Sequence, residues 1–423
     1  MYPSLRNQGV SAAGGPTPAL SWPCWVGVGR NVVFLGLTSL FTDISSEMVG
    51  AVLPLYLMFE LRFTPLQFGV FDGLYQGVTA LVRLAGGLVA DRRQRYKEVA
   101  GAGYALSAVC KLGLLAAGTA WIPTTTFLFL DRVGKGVRTA PRDALIALSS
   151  PQAGRAQAFG VHRALDTVGA LLGPIIAFGL LGRLPGAFDV VFVTSFCAGG
   201  IGVGLLLCFV ANRVPAAGRL TPQPAVSLRG VVGLLRVPPF RALLIAGVML
   251  SLVSVSDAFI YLTFQRRSEM HPSFFPLLYV GTALIYLLLA IPAGRLADRL
   301  GRARVLLGGY LLLLGVYGVL LLPALGPVEF ACCLLLLGAY YAATDGVLMA
   351  LASTTLPSGM LTSGLAMLTT ATAVARVVAA VLFGALWSWG GPESTLAVFM
   401  VGLAFAMVLA SGALAPSQEP TRT

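Results

Sequence analysis

Long apolar blocks alternate with short polar or Pro- and Gly-rich breaks along almost the whole chain. A helix needs about 20 apolar residues to cross a bilayer, and the blocks reach roughly that length. The pattern therefore predicts an all-α membrane protein with twelve transmembrane helices. The predicted spans cover residues 32–58, 66–90, 98–119, 122–146, 157–182, 187–210, 240–264, 273–294, 303–322, 327–352, 361–388 and 393–414.

The composition agrees with a lipid environment for these helices. The 423 residues are 57% hydrophobic and only 11% charged, whereas about 25% charged residues are usual in a soluble domain. The net charge of +12 arises from Arg and Lys in the breaks rather than on one face of a soluble domain. We therefore interpret it as a membrane-topology signal and expect a lipid bilayer, but no nucleic acid, as a partner.

Basic residues are concentrated in the breaks after the second, fourth, sixth and eighth helices, which share one side of the predicted bundle. The breaks on the other side hold little beyond Arg62, Arg183, Arg266 and Arg267. Because basic loops tend to remain in the cytoplasm, we predict a multi-pass protein of the plasma (bacterial inner) membrane with both termini cytoplasmic.

Acidic residues recur at similar spacings in the two halves of the chain. The pairs are Asp43 and Asp257, 214 residues apart, Asp131 and Asp345, also 214 apart, and Asp91 and Asp298, 207 apart. The recurrence indicates two parallel six-helix repeats, separated by the longest polar stretch. The predicted organisation is a tail 1–30, a bundle 31–210, a linker 211–239, a bundle 240–414 and a tail 415–423.

The breaks after helices 2 and 8 resemble the signature loop of the major facilitator superfamily, G-x-x-x-D-[RK]-x-G-[RK]-[RK]. The first copy contains Gly87, Asp91 and Arg92, with Gln94 at the central glycine, and the second contains Gly294, Asp298 and Arg299. Arg132 in helix 4 is similar to the arginine motif of that family. The run from Gly169 to Pro174 is similar to a helix 5 motif of proton-driven exporters, but without its trailing glycine pair.

This resemblance implies two pseudo-symmetric six-helix bundles that transport a small-molecule substrate by alternating access, using protons as the driving ion. It also implies that the Asp91 loop fastens helix 2 to helix 11 in the outward-open state, and that the motif residues act in gating. The helix 5 motif favours efflux. We expect a monomer that is not an enzyme.

Ionisable side chains within the predicted spans are the candidates for the site, because an unpartnered charge at mid-bilayer costs at least about 2.5–3.5 kcal/mol. In the fold that the resemblance implies, helices 1, 4, 7 and 10 line a central cavity, and each has a carboxylate here. The predicted substrate and proton pathway contains Asp43, Glu47, Asp131, Lys135, Asp257, Asp345, Tyr341 and Arg376.

Asp43 is the first choice for the proton carrier and Glu47 the second, because burial favours the neutral form of a carboxyl group. The alternative is that these acids neutralise buried bases, for example Asp131 with Lys135 one turn away. The acids favour a cationic or amphipathic substrate, whereas Lys135 and Arg138 favour an anion. The pattern leaves the charge of the substrate open.

Other functions remain as alternatives. The protein could import a metabolite or a metal chelate, or it could be a non-transporting receptor or scaffold, or a lipid flippase. No phosphate-binding loop is present in the sequence, so we expect no intrinsic ATP drive. Six cysteines without a CxxC pair and two histidines do not indicate a metal site, and no cofactor is expected.

Overall fold

A computed structural model describes residues 29–93, 95–151, 155–212, 233–268, 270–356 and 361–414. Regular structure within these ranges is entirely helical. Most of the predicted N-terminal tail, the linker residues 213–232 and the predicted C-terminal tail lie outside the described residues.

Six helices precede the linker. Gly118 separates the third from the fourth with φ of 52°, a backbone conformation that glycine adopts without strain. The first helix continues into a π-helical turn, Tyr56–Glu60. The helices are α1 Arg30–Leu55, α2 Pro65–Arg93, α3 Tyr96–Ala117, α4 Trp121–Leu148, α5 Arg155–Arg183 and α6 Phe188–Phe209.

The helices after the linker include one break and one sharp bend. The run Leu361–Leu414 is continuous except at Gly391, where φ of 83° divides it into α11 and α12. The other helices are α7a Pro238–Leu252, α7b Asp257–Arg267, α8 Phe275–Leu300, α9 Arg302–Leu320 and α10 Pro327–Thr355.

The break in α7 corrects the prediction of one continuous helix over 240–264. The hydroxyl of Tyr317 accepts a hydrogen bond from the backbone N–H of Val255 at 2.8 Å and donates one to the carbonyl of Val253 at 3.1 Å. Backbone groups freed by an interrupted helix are costly in a membrane unless they find partners. Tyr317, on α9, supplies these partners and stabilises the break.

Nine helical stretches of the described residues are long and apolar enough to cross a membrane. One of them, 364–414, has 51 residues, which at 1.5 Å per residue extends roughly 76 Å, so its bend at Gly391 allows two crossings. The helices α2 and α4 contain 29 and 28 residues and are long enough, but they contain more charge. The predicted twelve spans require α2 and α4 to cross as well.

Helices pack mainly against others from the same side of the linker. In the first six, α1 packs on α5 and α6, and α4 packs on α2 and α3; in the remainder, α10 packs on α8 and α9. The main contacts between the first half and the second are those of α2 with α11 and of α5 with α8, and α1 makes smaller ones with α7b and α8. The cavity described below lies between these two sets of helices.

The closest contacts between the halves lie toward one end of the molecule. We call the end with Arg30 and the α2–α3 turn the tail face, and the end with residues 61–64 the opposite face. A Cβ atom added at Gly69 would lie 2.3 Å from the carbonyl oxygen of Ala380, so α2 and α11 touch through their backbones. The Ser273 hydroxyl also donates to the Leu181 carbonyl at 2.9 Å, which joins α5 to the start of α8.

Candidate functional site

A cavity of about 450 Å³ lies between the two halves, midway along the helices. This volume is within the range of pockets that hold small molecules. Its walls come from α1, α2, α4, the break in α7 together with α7b, α8, α10 and α11. The polar and aromatic lining residues are Glu47, Phe68, Phe71, Asp72, Tyr75, Gln76, Arg132, Lys135, Ser254, Ser256, Asp257, Tyr279, Tyr340, Tyr341 and Arg376.

The cavity brings together many of the residues that the sequence analysis singled out. Five of the eight residues of the predicted pathway line it, together with Arg132 of the predicted gating motif. Asp43, Asp131 and Asp345 are not among the lining residues. The lining residues from the predicted set are Glu47, Arg132, Lys135, Asp257, Tyr341 and Arg376.

Glu47 and Lys135 form an ion pair across α1 and α4. The Nζ atom of Lys135 lies 3.0 Å from Oε1 of Glu47, and the two side chains are 28% and 36% exposed. Lys135 therefore pairs with α1 and not with Asp131 of its own helix, which was the alternative considered above. Because both side chains are partly open to the cavity, the pair can be hydrated or contact a solute.

Asp257 reaches the cavity because of the break in α7. It is the first residue of α7b, where the helix dipole favours a negative charge. The Tyr341 hydroxyl donates a hydrogen bond to its Oδ1 at 2.5 Å. Asp257 has no ion-pair partner among the described residues, and this hydrogen bond fixes its position against α10.

Asp131 is enclosed between α3 and α4 rather than in the cavity. Lys111 and the hydroxyl of Ser107 both donate to its carboxylate, and Arg132 lies 3.7 Å away. Lys111 is 1% and Asp131 3% exposed. This arrangement neutralises the charge of Asp131 within the bundle. The sequence analysis missed Lys111, although a single lysine in the predicted span 98–119 was the available signal.

Asp43 belongs to a charged network nearer the tail face, where α1, α4 and α5 meet. Arg138 lies 3.8 Å from its Oδ1, and the carboxyl group of Asp166 lies beside it. Arg142 contacts Asp166 at 3.5 Å and Asp143 at 3.0 Å. The predicted proton carrier therefore lies outside the cavity, with a cation and a second acid as neighbours.

Two charged residues of the second half, Arg376 and Asp345, lie within electrostatic range of each other but form no close ion pair among the described residues. Arg376 on α11 lines the cavity and is exposed, and within the described ranges it forms no ion pair. Asp345 on α10 is also exposed and likewise unpaired among these residues. The halves touch near the opposite face, which closes the cavity at that end. Because Arg376 is nevertheless exposed midway along α11, the cavity opens toward the tail face.

Asp72 on α2 is a cavity residue that the sequence analysis did not select. Its side chain is only 6% exposed, and its Oδ2 atom is buried without a hydrogen-bond partner. The available signal was an isolated acid in the span 66–90. It was missed because only the carboxylates of helices 1, 4, 7 and 10 were considered as cavity residues.

The structure describes the side chains of the second copy of the predicted gating motif but not those of the first. The side chains of Asp91 and Arg92, and the surroundings of Gly87, lie outside what the structure describes. In the second copy, Arg302 lies 3.2 Å from Asp298 and donates to the carbonyl of Ala350 at 3.1 Å. The α8–α9 turn is thereby fastened to α10. Gly294 and Arg299 lie in the last two turns of α8.

A family model for the Major Facilitator Superfamily matches residues 35–280 of the chain. An uncharacterised MFS-type transporter of Methanocaldococcus jannaschii is 29% identical over 392 residues, which are 90% of this chain and 93% of that protein. An uncharacterised protein of Mycobacterium tuberculosis is 32% identical over 217 residues, which are 51% of each chain.

Solved structures of membrane transporters have a similar fold. The nucleoside transporter NupG superposes with a TM-score of 0.76 at 13% identity, covering 92% of this chain and 100% of that one. A bacterial homologue of the lysosomal transporter Spinster, in an inward-facing and unoccupied conformation, gives 0.71 at 14% identity, covering 93% and 99%. At these identities the likeness concerns the fold.

Proposed function

The chain belongs to the Major Facilitator Superfamily of membrane transporters, and from this premise we propose that it moves a small solute by alternating access, driven by protons. In the proposed cycle the two halves rock about the central cavity. The conformation described here has its cavity open to the tail face. The other conformation would separate α2 from α11 and α5 from α8 at the opposite face.

The cavity itself is the observation that supports this proposal. It lies between the halves, holds about 450 Å³, and combines charged groups with aromatic walls. Arg376 is exposed there without an ion-pair partner among the described residues, so its charge is available to an anionic group of a solute. A receptor or scaffold would not require an unpaired cation in a hydrated cavity at mid-membrane.

Proton coupling is supported by carboxyl groups placed inside the membrane. Asp257 is held by a tyrosine hydroxyl rather than by a base, and Asp43 shares its surroundings with a second acid, Asp166. These two carboxyl groups are therefore the candidates for carrying the coupled proton. For the direction of transport we propose efflux, which the resemblance of Gly169–Pro174 to the exporter motif favours.

Reconstituted proteoliposomes with an interior pH dye test this function. A panel of anionic, zwitterionic, cationic and neutral solutes is added in turn, with a pH gradient of either polarity. We expect at least one solute to produce proton movement in the wild type, and Arg376→Gln to reduce it. The matched control is Arg304→Gln on the surface of α9. Absence of solute-dependent proton movement across the whole panel would contradict proton-coupled transport.

A further inference from the structure

Three polar side chains meet at the junction of the two halves. Asp72 and Gln76 are one turn apart on α2, so they share a face of that helix. Ser256 stands at the break between α7a and α7b, directly before the first residue of α7b. All three line the cavity. The cluster thus joins a helix of the first half to the interrupted helix of the second.

Asp72 is the carboxylate of this cluster, and it lacks the basic partner that acids such as Asp131 and Glu47 have. Asp131 contacts Lys111 and Arg132, and Glu47 contacts Lys135. Asp72 has no ion pair within the described residues, and its buried Oδ2 has no hydrogen bond. The side chains of Ser256 and Gln76 lie beside its carboxyl group, but neither is a cation. A carboxylate without a cationic partner in a membrane interior is costly unless it is protonated or binds a cation.

The break in α7 supplies further oxygen atoms at this position. The hydroxyl of Ser256 is buried without a hydrogen-bond partner, and Tyr317 fixes the backbone of the break from α9. Interrupted membrane helices are sites at which transporters bind their coupling ions. Carboxylate, amide and hydroxyl oxygens are hard ligands that suit a proton or a small metal cation.

We propose that Asp72, Gln76 and Ser256 form a binding site for one monovalent cation, a proton or Na⁺, and that binding of this ion contributes to driving transport. The binding part of this proposal, that the site holds a cation, is independent of the function proposed above. The driving part, that the bound cation contributes to driving transport, rests on that function. Because the site has ligands from both halves, cation affinity depends on how the halves are arranged. That dependence is the physical requirement for coupling an ion to alternating access.

Several charged or titratable groups face Asp72 from the surrounding helices, and they limit what else could bind. Asp257 adds negative charge from α7b, within electrostatic range of Asp72. The cations of the cavity are Arg132 and Lys135 on α4 and Arg376 on α11, and none forms an ion pair with Asp72. The remaining titratable side chains that line the cavity are Glu47, Tyr75, Tyr279, Tyr340 and Tyr341.

Thermal unfolding of the purified full-length protein tests the binding part without any solute. The wild type, Asp72→Asn and the surface control Asp189→Asn are compared between about pH 5 and pH 9 in choline chloride, with and without about 100 mM NaCl. We expect the wild type and Asp189→Asn to gain stability from protons or from Na⁺. Asp72→Asn should lose most of that gain, because the variant lacks the carboxylate.

The two cation sources give different results in this experiment. If low pH raises the unfolding temperature and NaCl raises it no further, the site binds a proton. If NaCl raises the unfolding temperature at high pH, the site binds Na⁺. If Asp72→Asn retains the full cation dependence of the wild type, or the wild type has none, the site is overturned. An Asp72→Asn protein that fails to fold is replaced by Asp72→Glu and Ser256→Ala, which should weaken the dependence.

The driving part is tested with a solute identified in proteoliposomes. Asp72→Asn should still exchange solute between equal concentrations on the two sides, but it should lose uphill accumulation. Retained accumulation would overturn the coupling role. If no solute is transported but the cation dependence remains at Asp72, the proposed function fails while the binding site stands.

Discussion

The two halves of the molecule treat their charged residues differently. In the first half, most acids within the helices contact bases on neighbouring helices, as Asp131 does with Lys111 and Glu47 with Lys135, and Asp72 is an exception. In the second half, Asp257 is held by a tyrosine, and Arg376 and Asp345 are exposed without an ion pair among the described residues. Charges that the protein neutralises itself stabilise its fold, and charges left unmatched remain available to a ligand.

This comparison predicts that substitutions in matched ion pairs mainly change stability and that substitutions of unmatched cavity charges, Arg376 in the second half and Asp72 in the first, mainly change transport. The largest effect should come from Lys111→Met, which leaves the carboxylate of Asp131 buried with less compensation. Breaking a buried ion pair from one side costs about 3–5 kcal/mol. Unfolding of the purified protein should occur at much lower temperature, whereas Lys97→Met at the surface of α3 should have little effect.

The double variant Lys111→Met with Asp131→Leu sharpens this test. Replacing both charges with apolar groups removes the unpaired carboxylate, so most of the lost stability should return. Equal stability of Lys111→Met and Lys97→Met would show that the pair contributes little to the first half.

Arg376→Gln should produce the next largest effect, on the solute rather than on the fold. Loss of a charged hydrogen-bond donor to an anionic group costs about 1.5–3 kcal/mol, which is roughly a 10- to 100-fold loss of affinity. Solute-dependent flux in proteoliposomes measures the loss, and the unfolding temperature should stay near that of Arg304→Gln. If Arg376→Gln instead unfolds at a much lower temperature but has normal solute affinity, Arg376 stabilises the fold, and the proposed difference between the halves is wrong.

Lys135→Gln should have an intermediate effect, because its ion pair with Glu47 is partly exposed. Pairs in such surroundings contribute about 1 kcal/mol or less. A double-mutant cycle with Glu47→Gln, read by thermal unfolding, measures the coupling between the two side chains. A coupling as large as that of Lys111 with Asp131 would mean that exposure to the cavity does not weaken the pair.

The smallest effect should come from Asp298→Asn in the second half. Its pair with Arg302 is 3.2 Å long, and the Asp298 side chain is 68% exposed, so solvent screens it. We expect a change of about 0.5 kcal/mol or less in the free energy of unfolding. If the α8–α9 turn acts in gating, Asp298→Asn should also reduce transport. If the ion pair is only a surface contact, transport should be unchanged, and the flux assay distinguishes the two roles.

The helices were largely predictable from the sequence because apolar blocks and their breaks reflect the thickness of a bilayer. The break in α7 was not, since Val253, Ser254, Val255 and Ser256 interrupt no apolar pattern. It depends on Tyr317, more than sixty residues further along the chain.

The site was predictable only in part for the same reason. A charged residue within a span indicates that a partner or a cavity exists, but not which one. Asp131 finds its base on α3, whereas Asp72 faces the cavity from α2 without one. These outcomes depend on how the helices are rotated about their axes, which packing between helices decides.

Disulfide trapping at the opposite face tests the central claim, that the halves must separate there during transport. The backbone N–H of Leu66 lies 3.0 Å from the hydroxyl oxygen of Ser388, so the two residues are neighbours on α2 and α11. Cysteines are placed at these positions after the native cysteines are replaced, and disulfide formation on oxidation is measured first. Solute flux in proteoliposomes is then measured before oxidation, after it and after reduction. We predict that the disulfide stops flux and that reduction restores it. Undiminished flux through a fully cross-linked protein would contradict alternating access about this cavity.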